Sequence, residues 1–242
     1  MRIKQTLSTM KWWNLTKARN ELLYANHKRR MIHEAFRKVL AWDISGSYME
    51  FGTYRGQSVV YAYQEKSALF KEINTKGISR IYAFDSFQGV DGLVPEEIDG
   101  PFAKGSYSSS YKEYREYLVL CGVPVEDITT VIGFFQDSLT LELQSLILEE
   151  NPVVAVLNID CDIYLPALLA LRFAKDMFRQ GTMVLFDDWY SYGLDPGKGE
   201  VRALSEFLGQ NKNLDFIFWK DYGPAGRSFI VSLNRSNAQA VA

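Results

Sequence analysis

Two short acidic runs, Asp160-Cys161-Asp162 and Asp187-Asp188, each follow an apolar stretch that reads as a buried strand, Val153 to Ile159 and Thr182 to Phe186. If those strands are neighbours in a parallel sheet, four carboxylates collect at their C-terminal ends, where open α/β sheets bind ligands. Like charges packed that closely repel and are costly unless a cation lies among them. Ligation by oxygen alone, with open positions, is the chemistry of magnesium or a similar hard divalent ion. A turn-capping role would account for one such aspartate. It does not account for two pairs on consecutive strands.

Two further segments suit a small organic ligand. The run Glu50-Phe51-Gly52-Thr53-Tyr54-Arg55-Gly56-Gln57-Ser58 passes from a strand directly into a helix. Its glycines permit a tight turn and close approach of backbone to a ligand, and the helix start offers unpaired amide donors. The spacing of Gly52 and Gly56 is not G-x-G-x-x-G, so a dinucleotide is not indicated. The next strand, Ile81 to Phe84, ends in Asp85-Ser86-Phe87. An acid at that position accepts from ribose hydroxyls in nucleotide-binding α/β folds, and its plainer alternative is to cap a turn.

These residues have to be positioned by an alternating pattern. After Gly46, short apolar runs alternate with helical stretches, the signature of a parallel sheet covered on both faces. Seven strands are expected: Tyr48 to Gly52, Arg80 to Phe84, Thr129 to Gly133, Val153 to Ile159, Thr182 to Phe186, Asp215 to Trp219 and Arg227 to Leu233. Helices are expected over Gln57 to Ile73, Ser109 to Leu120, Leu139 to Glu149, Pro166 to Arg179 and Val201 to Leu208. The last two strands are joined by too short a loop for a helix and should form an antiparallel edge hairpin.

Ahead of the sheet, Leu15 to Trp42 has apolar residues at helical spacing, giving one long or two short amphipathic helices. The domain division this suggests is a helical extension over 1–45 and one α/β domain over 46–242. The basic cluster Lys28, Arg29, Arg30 reads as a solvated helix face. Ser86 to Ser110, rich in Gly, Ser and acidic residues with Pro95 and Pro101, has no periodicity, and a connection of that length is usually functional or mobile.

Composition narrows the classes. With 242 residues, 47% of them hydrophobic, the chain can build one full-sized core. A net charge of -2 offers nothing to nucleic acid. No apolar run approaches the roughly 20 residues a membrane span needs, and the N-terminus lacks the apolar core of a secretory signal. Two cysteines and two histidines are too few for a disulfide framework or a zinc cluster, and a cytoplasmic location is expected.

Taken together, Tyr48 to Gly56, Ala83 to Gly89, Ile159 to Tyr164 and Val184 to Trp189 resemble the corresponding blocks of the macrocin O-methyltransferase family, over about Tyr48 to Leu233. The resemblance implies a Rossmann-like methyltransferase that uses S-adenosylmethionine and magnesium to methylate sugar hydroxyls of natural products. It implies that Glu50, Gly52, Tyr54 and Ser58 lie at the methionine end of the cofactor and that Asp85 and Ser86 hold its ribose. Gly133 and Asp137 would lie near the adenine, with Asp160 also at the cofactor. Asp160, Asp187 and Asp188 match the metal-ligand positions and Asp162 the general base, while Ser86 to Ser110 would be a mobile lid. Asp162, two residues beyond Asp160, would share its face if the strand continued in extended form.

The acceptor then carries adjacent hydroxyls, as in a sugar diol or, alternatively, a catechol. A non-catalytic binding module of the same fold is a further reading, although no carboxylate needed for metal or base is missing. A dehydrogenase is disfavoured by the absent G-x-G-x-x-G. The apolar residues Trp12, Trp13, Leu15, Leu22, Leu23 and Tyr24, lying before the α/β pattern, suggest a homodimer interface or an active-site cover.

Overall fold

The computed structural model describes residues 26–73 and 77–234, so the N-terminal apolar residues up to Tyr24 lie outside the described residues. The described part begins with helix α1, residues 26–41. Seven strands follow: β1 (Gly46–Phe51), β2 (Ile78–Asp85), β3 (Ile128–Ile132), β4 (Val154–Ile159), β5 (Met183–Phe186), β6 (Leu214–Tyr222) and β7 (Gly226–Leu233). They form one sheet in the order β3-β2-β1-β4-β5-β7-β6. The pairs from β3 through β5 are parallel, and β7 runs antiparallel to both β5 and β6. The expected mostly parallel sheet with a C-terminal edge hairpin is what forms.

Helices cover both faces: α2 (Gln57–Ile73), α3 (Tyr111–Leu120), α4 (Phe135–Ser138), α5 (Leu141–Glu150), α6 (Tyr164–Ala174) and α7 (Gly199–Gln210). The strand period of two sorts the core into two layers. Met49, Phe51, Phe84, Leu157, Ile159, Val184 and Phe186 face the layer holding α6 and α7. Tyr48, Ile81, Ala83, Val156, Met183 and Leu185 face the layer holding α1, α2 and α3. Helix α1 contributes Met31, Ile32, Ala35, Phe36 and Val39 to that second layer, so it is part of the same core as the sheet. All six residues of β1 and of β4 are buried, as the apolar runs required of central strands.

The chain leaves β1 toward β2 and β3 and returns on the other side of β1 as β4. This reversal opens a crevice at the C-terminal ends of β1 and β4, the place where such sheets bind ligands.

One local expectation needs correction. The helix expected over Pro166 to Arg179 starts earlier, at Tyr164, and ends at Ala174, passing into a 3-10 turn at Lys175–Met177. Pro166 is tolerated because it lies in the first turn, where a backbone N–H has no intrahelical acceptor to lose. The segment from Ser86 to Ser110, expected to be a lid, is anchored to the fold at Glu97. Its Glu97 is fully buried in a short 3-10 turn and accepts hydrogen bonds from the backbone N–H of Tyr164 and of Gly199, both at 2.8 Å. One carboxylate thus sits against the starting turns of α6 and α7, whose exposed amides favour a negative charge. Val90 and Phe102 of the same segment pack with Ile163 and Tyr192.

Candidate functional site

The turn after β1 is shaped by backbone that only glycine supplies. Gly52 has φ +88, and a Cβ there would meet the carbonyl oxygen of Asp160 at 1.8 Å. The end of β1 can therefore lie directly against the end of β4 only because residue 52 has no side chain. Glu50, fully buried, accepts from the hydroxyls of Ser58 and Tyr48, both at 2.5 Å, tying β1 to the first turn of α2. Burial raises its pKa, while the bonds from Ser58 and Tyr48 and the nearby Lys28 pull the other way.

Asp85 spans the crevice from the end of β2. Its Oδ2 accepts from the backbone N–H of Thr53 and of Tyr54, each at 2.7 Å, and its Oδ1 accepts from that of Phe87 at 2.7 Å. The turn-capping role weighed for Asp85 is thus present, and one carboxylate clamps two loops. Burial raises its pKa despite these three bonds. Ser86 accepts from Gln88 N–H at 3.1 Å. On the far side of β2, Gly133 donates its N–H to the Asp85 carbonyl at 3.0 Å, and Asp137 lies exposed on the short helix α4.

The acidic residues converge as their strand-end positions require. Asp160, Asp187 and Asp188 each present a potential ligand atom, and these atoms lie within 4.8 Å of one another. Asp187 is nearly fully buried. Burial, followed by Asp187, pushes the pKa of Asp188 up to about 6. Asp160 is raised by burial, with Asp187 and Asp188 adding to it and Lys28 opposing. Asp162 is raised by burial and then by Asp188 and Asp160, and it shares a hydrogen bond with Asp188 that favours a proton on Asp162.

The expected reason for the position of Asp162 does not hold. β4 ends at Ile159, and Asp162 has φ +66, so the chain does not continue in extended form. A left-handed residue two places past the strand, a conformation Asp tolerates better than most, turns Asp162 toward Asp188 instead.

The sequence reading missed two members of this cluster. Lys28, expected on a solvated face, has a side chain only 12% exposed, and its Nζ lies 2.6 Å from Asp160 Oδ2 and 2.9 Å from Asp187 Oδ2. Its neighbours Arg29 and Arg30 do face solvent. The signal was present: Lys28 precedes Ile32, Ala35 and Val39 at four, seven and eleven residues, the spacing of the buried stripe of α1. Glu200, fully buried at the start of α7, accepts from the backbone N–H of Asp188 at 3.0 Å. Its pKa is raised well above the usual range by burial and then by Asp188, Asp187 and Asp160, and its Oε1 has no hydrogen-bond partner.

Five carboxylates, Asp160, Asp162, Asp187, Asp188 and Glu200, therefore act on one another, and among the described residues the ammonium of Lys28 lies against two of them. The surplus of hard, buried oxygen donors, one of them unpartnered, fits a divalent cation of the magnesium type.

The profile of the Macrocin-O-methyltransferase (TylF) family matches residues 23–214. No curated protein matches. Among solved structures, the chain is similar to the O-methyltransferase NovP, with a TM-score of 0.64 and 19% identity over 84% of this chain and 78% of that one. It is also similar to the calicheamicin methyltransferase CalS11, with a TM-score of 0.62 and 20% identity over 84% and 77% of the two chains. An apo structure of CalS11, described as a TDP-rhamnose 3'-O-methyltransferase, gives 0.53 and 22% over 84% and 78%. At these identities the likeness shows a shared fold.

Proposed function

The chain belongs to the macrocin O-methyltransferase family and is an S-adenosylmethionine-dependent O-methyltransferase, and from that premise we propose that it methylates one hydroxyl of a vicinal diol on a sugar, with a divalent cation held by Asp160, Asp187 and Asp188. The proposal rests on one convergence: three carboxylates within 4.8 Å of one another, beside the glycine turn that ends β1. When bound, the cofactor supplies an electrophilic methyl group, and the cation supplies a positive charge that lowers the pKa of a neighbouring hydroxyl.

The chain's own residues divide the remaining work. The turn from Gly52 to Gly56, clamped by Asp85, forms the wall against which the methionine end of the cofactor lies, with Glu50 and Ser58 fixing the turn from beneath and Tyr54 at its surface. Asp85 and Ser86 lie at the strand end suited to ribose, and Gly133 and Asp137 at the neighbouring one suited to adenine. Asp162 would take the proton from the acceptor hydroxyl whose oxygen receives the methyl group. Asp162 suits that task by position, because its carboxylate lies beside Asp188 and Asp160 at the strand ends, within the cluster proposed to meet the acceptor.

Ser86 to Ser110 forms a wall of the acceptor side. Tyr107 stacks edge-on to Tyr54 with ring centroids 6.0 Å apart, and Asp162, Asp188 and Asp160 act on its hydroxyl, so its ring spans the space between the cofactor turn and the carboxylates. Membership of the family supports a sugar acceptor over the catechol alternative, and CalS11, described as a TDP-rhamnose 3'-O-methyltransferase, is the analogy for it. Among the described residues no helix is long and apolar enough to cross a membrane. We place the enzyme in the cytoplasm, on the strength of its two free cysteines, and propose that it assembles as a homodimer or larger through its N-terminal apolar residues.

The test is transfer of an isotopically labelled methyl group from S-adenosylmethionine to matched acceptors, read by mass spectrometry: a nucleotide-linked 6-deoxyhexose, the same sugar lacking one of two adjacent hydroxyls, and catechol. Methylation of the diol sugar alone supports the reading. Preference for catechol or for the mono-hydroxyl sugar overturns the acceptor assignment.

A further inference from the structure

The position of Lys28 carries a consequence for metal loading. Its ammonium contacts Asp160 at 2.6 Å and Asp187 at 2.9 Å, two of the three proposed ligands, and opposes the charge of Asp162, Asp188 and Glu50 as well. A hard divalent ion binds carboxylate oxygen at about 2.0 to 2.1 Å. An ion bound to the same oxygens would lie within roughly 5 Å of the ammonium, a like-charge contact in a mostly desolvated place.

We propose that Lys28 is a tethered counter-cation that occupies the metal's place in this carboxylate cluster and is displaced when a divalent ion binds, so that metal loading and the placement of the first described turn of α1 are coupled. The inference rests on the divalent-cation reading above and adds to it an internal competitor.

The physical sense of such a device lies in the cost of leaving the cluster bare. Buried carboxylates without a cation either repel one another or take up protons. An ammonium delivered by a helix already anchored in the core, through Met31, Ile32, Ala35 and Phe36, offsets the charge at Asp160 and Asp187 and ties their strand ends to α1. Being singly charged, it yields to a doubly charged ion, and the first described turn of α1 gives with it while the rest of the helix stays in its bed. The exchange is a linkage between two cations at one site. Whatever removes the ammonium must strengthen metal binding, and metal binding must loosen the segment that carries the ammonium.

The experiment is calorimetric titration of the full chain with Mn²⁺ in place of Mg²⁺, comparing the unsubstituted protein with Lys28→Met and Arg29→Met. Arg29 is a cation one residue away that pairs with Glu65 instead of the cluster, which makes it the control for through-space charge. Lys28→Met should bind Mn²⁺ at least about 10-fold more tightly than the unsubstituted chain, and Arg29→Met within about 3-fold of it. In the unsubstituted protein, amide hydrogen exchange over residues 26–31 should speed up on Mn²⁺ addition, a readout that needs no variant to fold. Equal or weaker Mn²⁺ binding by Lys28→Met, or unchanged or slower exchange, overturns the competition while leaving the metal site standing. No Mn²⁺ binding to any of the three chains removes the metal reading and the competition with it.

Discussion

The carbonyl oxygen of Asp160 lies 1.8 Å from where a Cβ on Gly52 would sit, so the glycine turn that ends β1 and the end of β4 that carries Asp160 are in backbone contact. Gly52→Ala must therefore separate the two, and it also forces an L residue to φ +88. It should cost at least about 2 kcal/mol and abolish S-adenosylhomocysteine binding measured by calorimetry. Gly122→Ala, at φ +73 with nothing within 4 Å, should cost only about 1 kcal/mol and leave binding intact.

Asp85 holds the same turn from the other side. Asp85→Ala leaves the backbone N–H groups of Thr53, Tyr54 and Phe87 without their acceptor. Loss of these charge-assisted bonds should lower stability by about 2 to 5 kcal/mol in chemical denaturation and weaken S-adenosylhomocysteine binding as well. A variant of unchanged stability that still loses affinity would assign Asp85 to the ligand alone.

For Asp162, the informative change is Asp162→Asn, because Asn also tolerates φ +66 and so keeps the backbone while removing the base. Turnover should fall by about 10² to 10⁴, with Mn²⁺ and S-adenosylhomocysteine affinities nearly unchanged. Near-normal turnover across neutral pH would place the base elsewhere.

The cluster also fixes a pH dependence in the metal-free protein. Asp188, raised to about 6 by burial and then by Asp187, keeps a proton in the folded state that the unfolded chain has lost above about 4. The folded state therefore binds more protons across that window, so stability in chelator should fall as pH rises from about 4 through about 6. The raised Asp160, Asp162 and Glu200 act in the same direction. Thermal melts in chelator at pH 5 and pH 7.5 check the sign: a higher melting temperature at pH 7.5 contradicts it.

Much of this was legible in the sequence because the fold is written in apolar periodicity. The seven strands, the edge hairpin and helix Gln57–Ile73 follow from runs of Val, Ile, Leu and Phe interrupted by glycine turns. The aspartates were legible because they fall at strand ends. What escaped depends on contacts between distant segments. Lys28 meets Asp160 across 132 residues, and only the turn of α1 against the sheet brings them together. Glu97 looks like one more acid in a polar loop until the starting turns of α6 and α7 supply its donors. Asp162 comes to lie beside Asp188 through a left-handed turn and not through a continued strand, and residue spacing does not reveal a left-handed backbone.

The most direct measurement is methyl transfer by the unsubstituted enzyme after thorough chelation, with Mg²⁺ then restored and Asp187→Ala run in parallel. Turnover should drop by at least about 100-fold on chelation, return with Mg²⁺, and fail to return in Asp187→Ala although that variant stays folded. Undiminished turnover of the chelated enzyme, or full Mg²⁺-independent activity of Asp187→Ala, would contradict the assignment of these carboxylates to a catalytic metal.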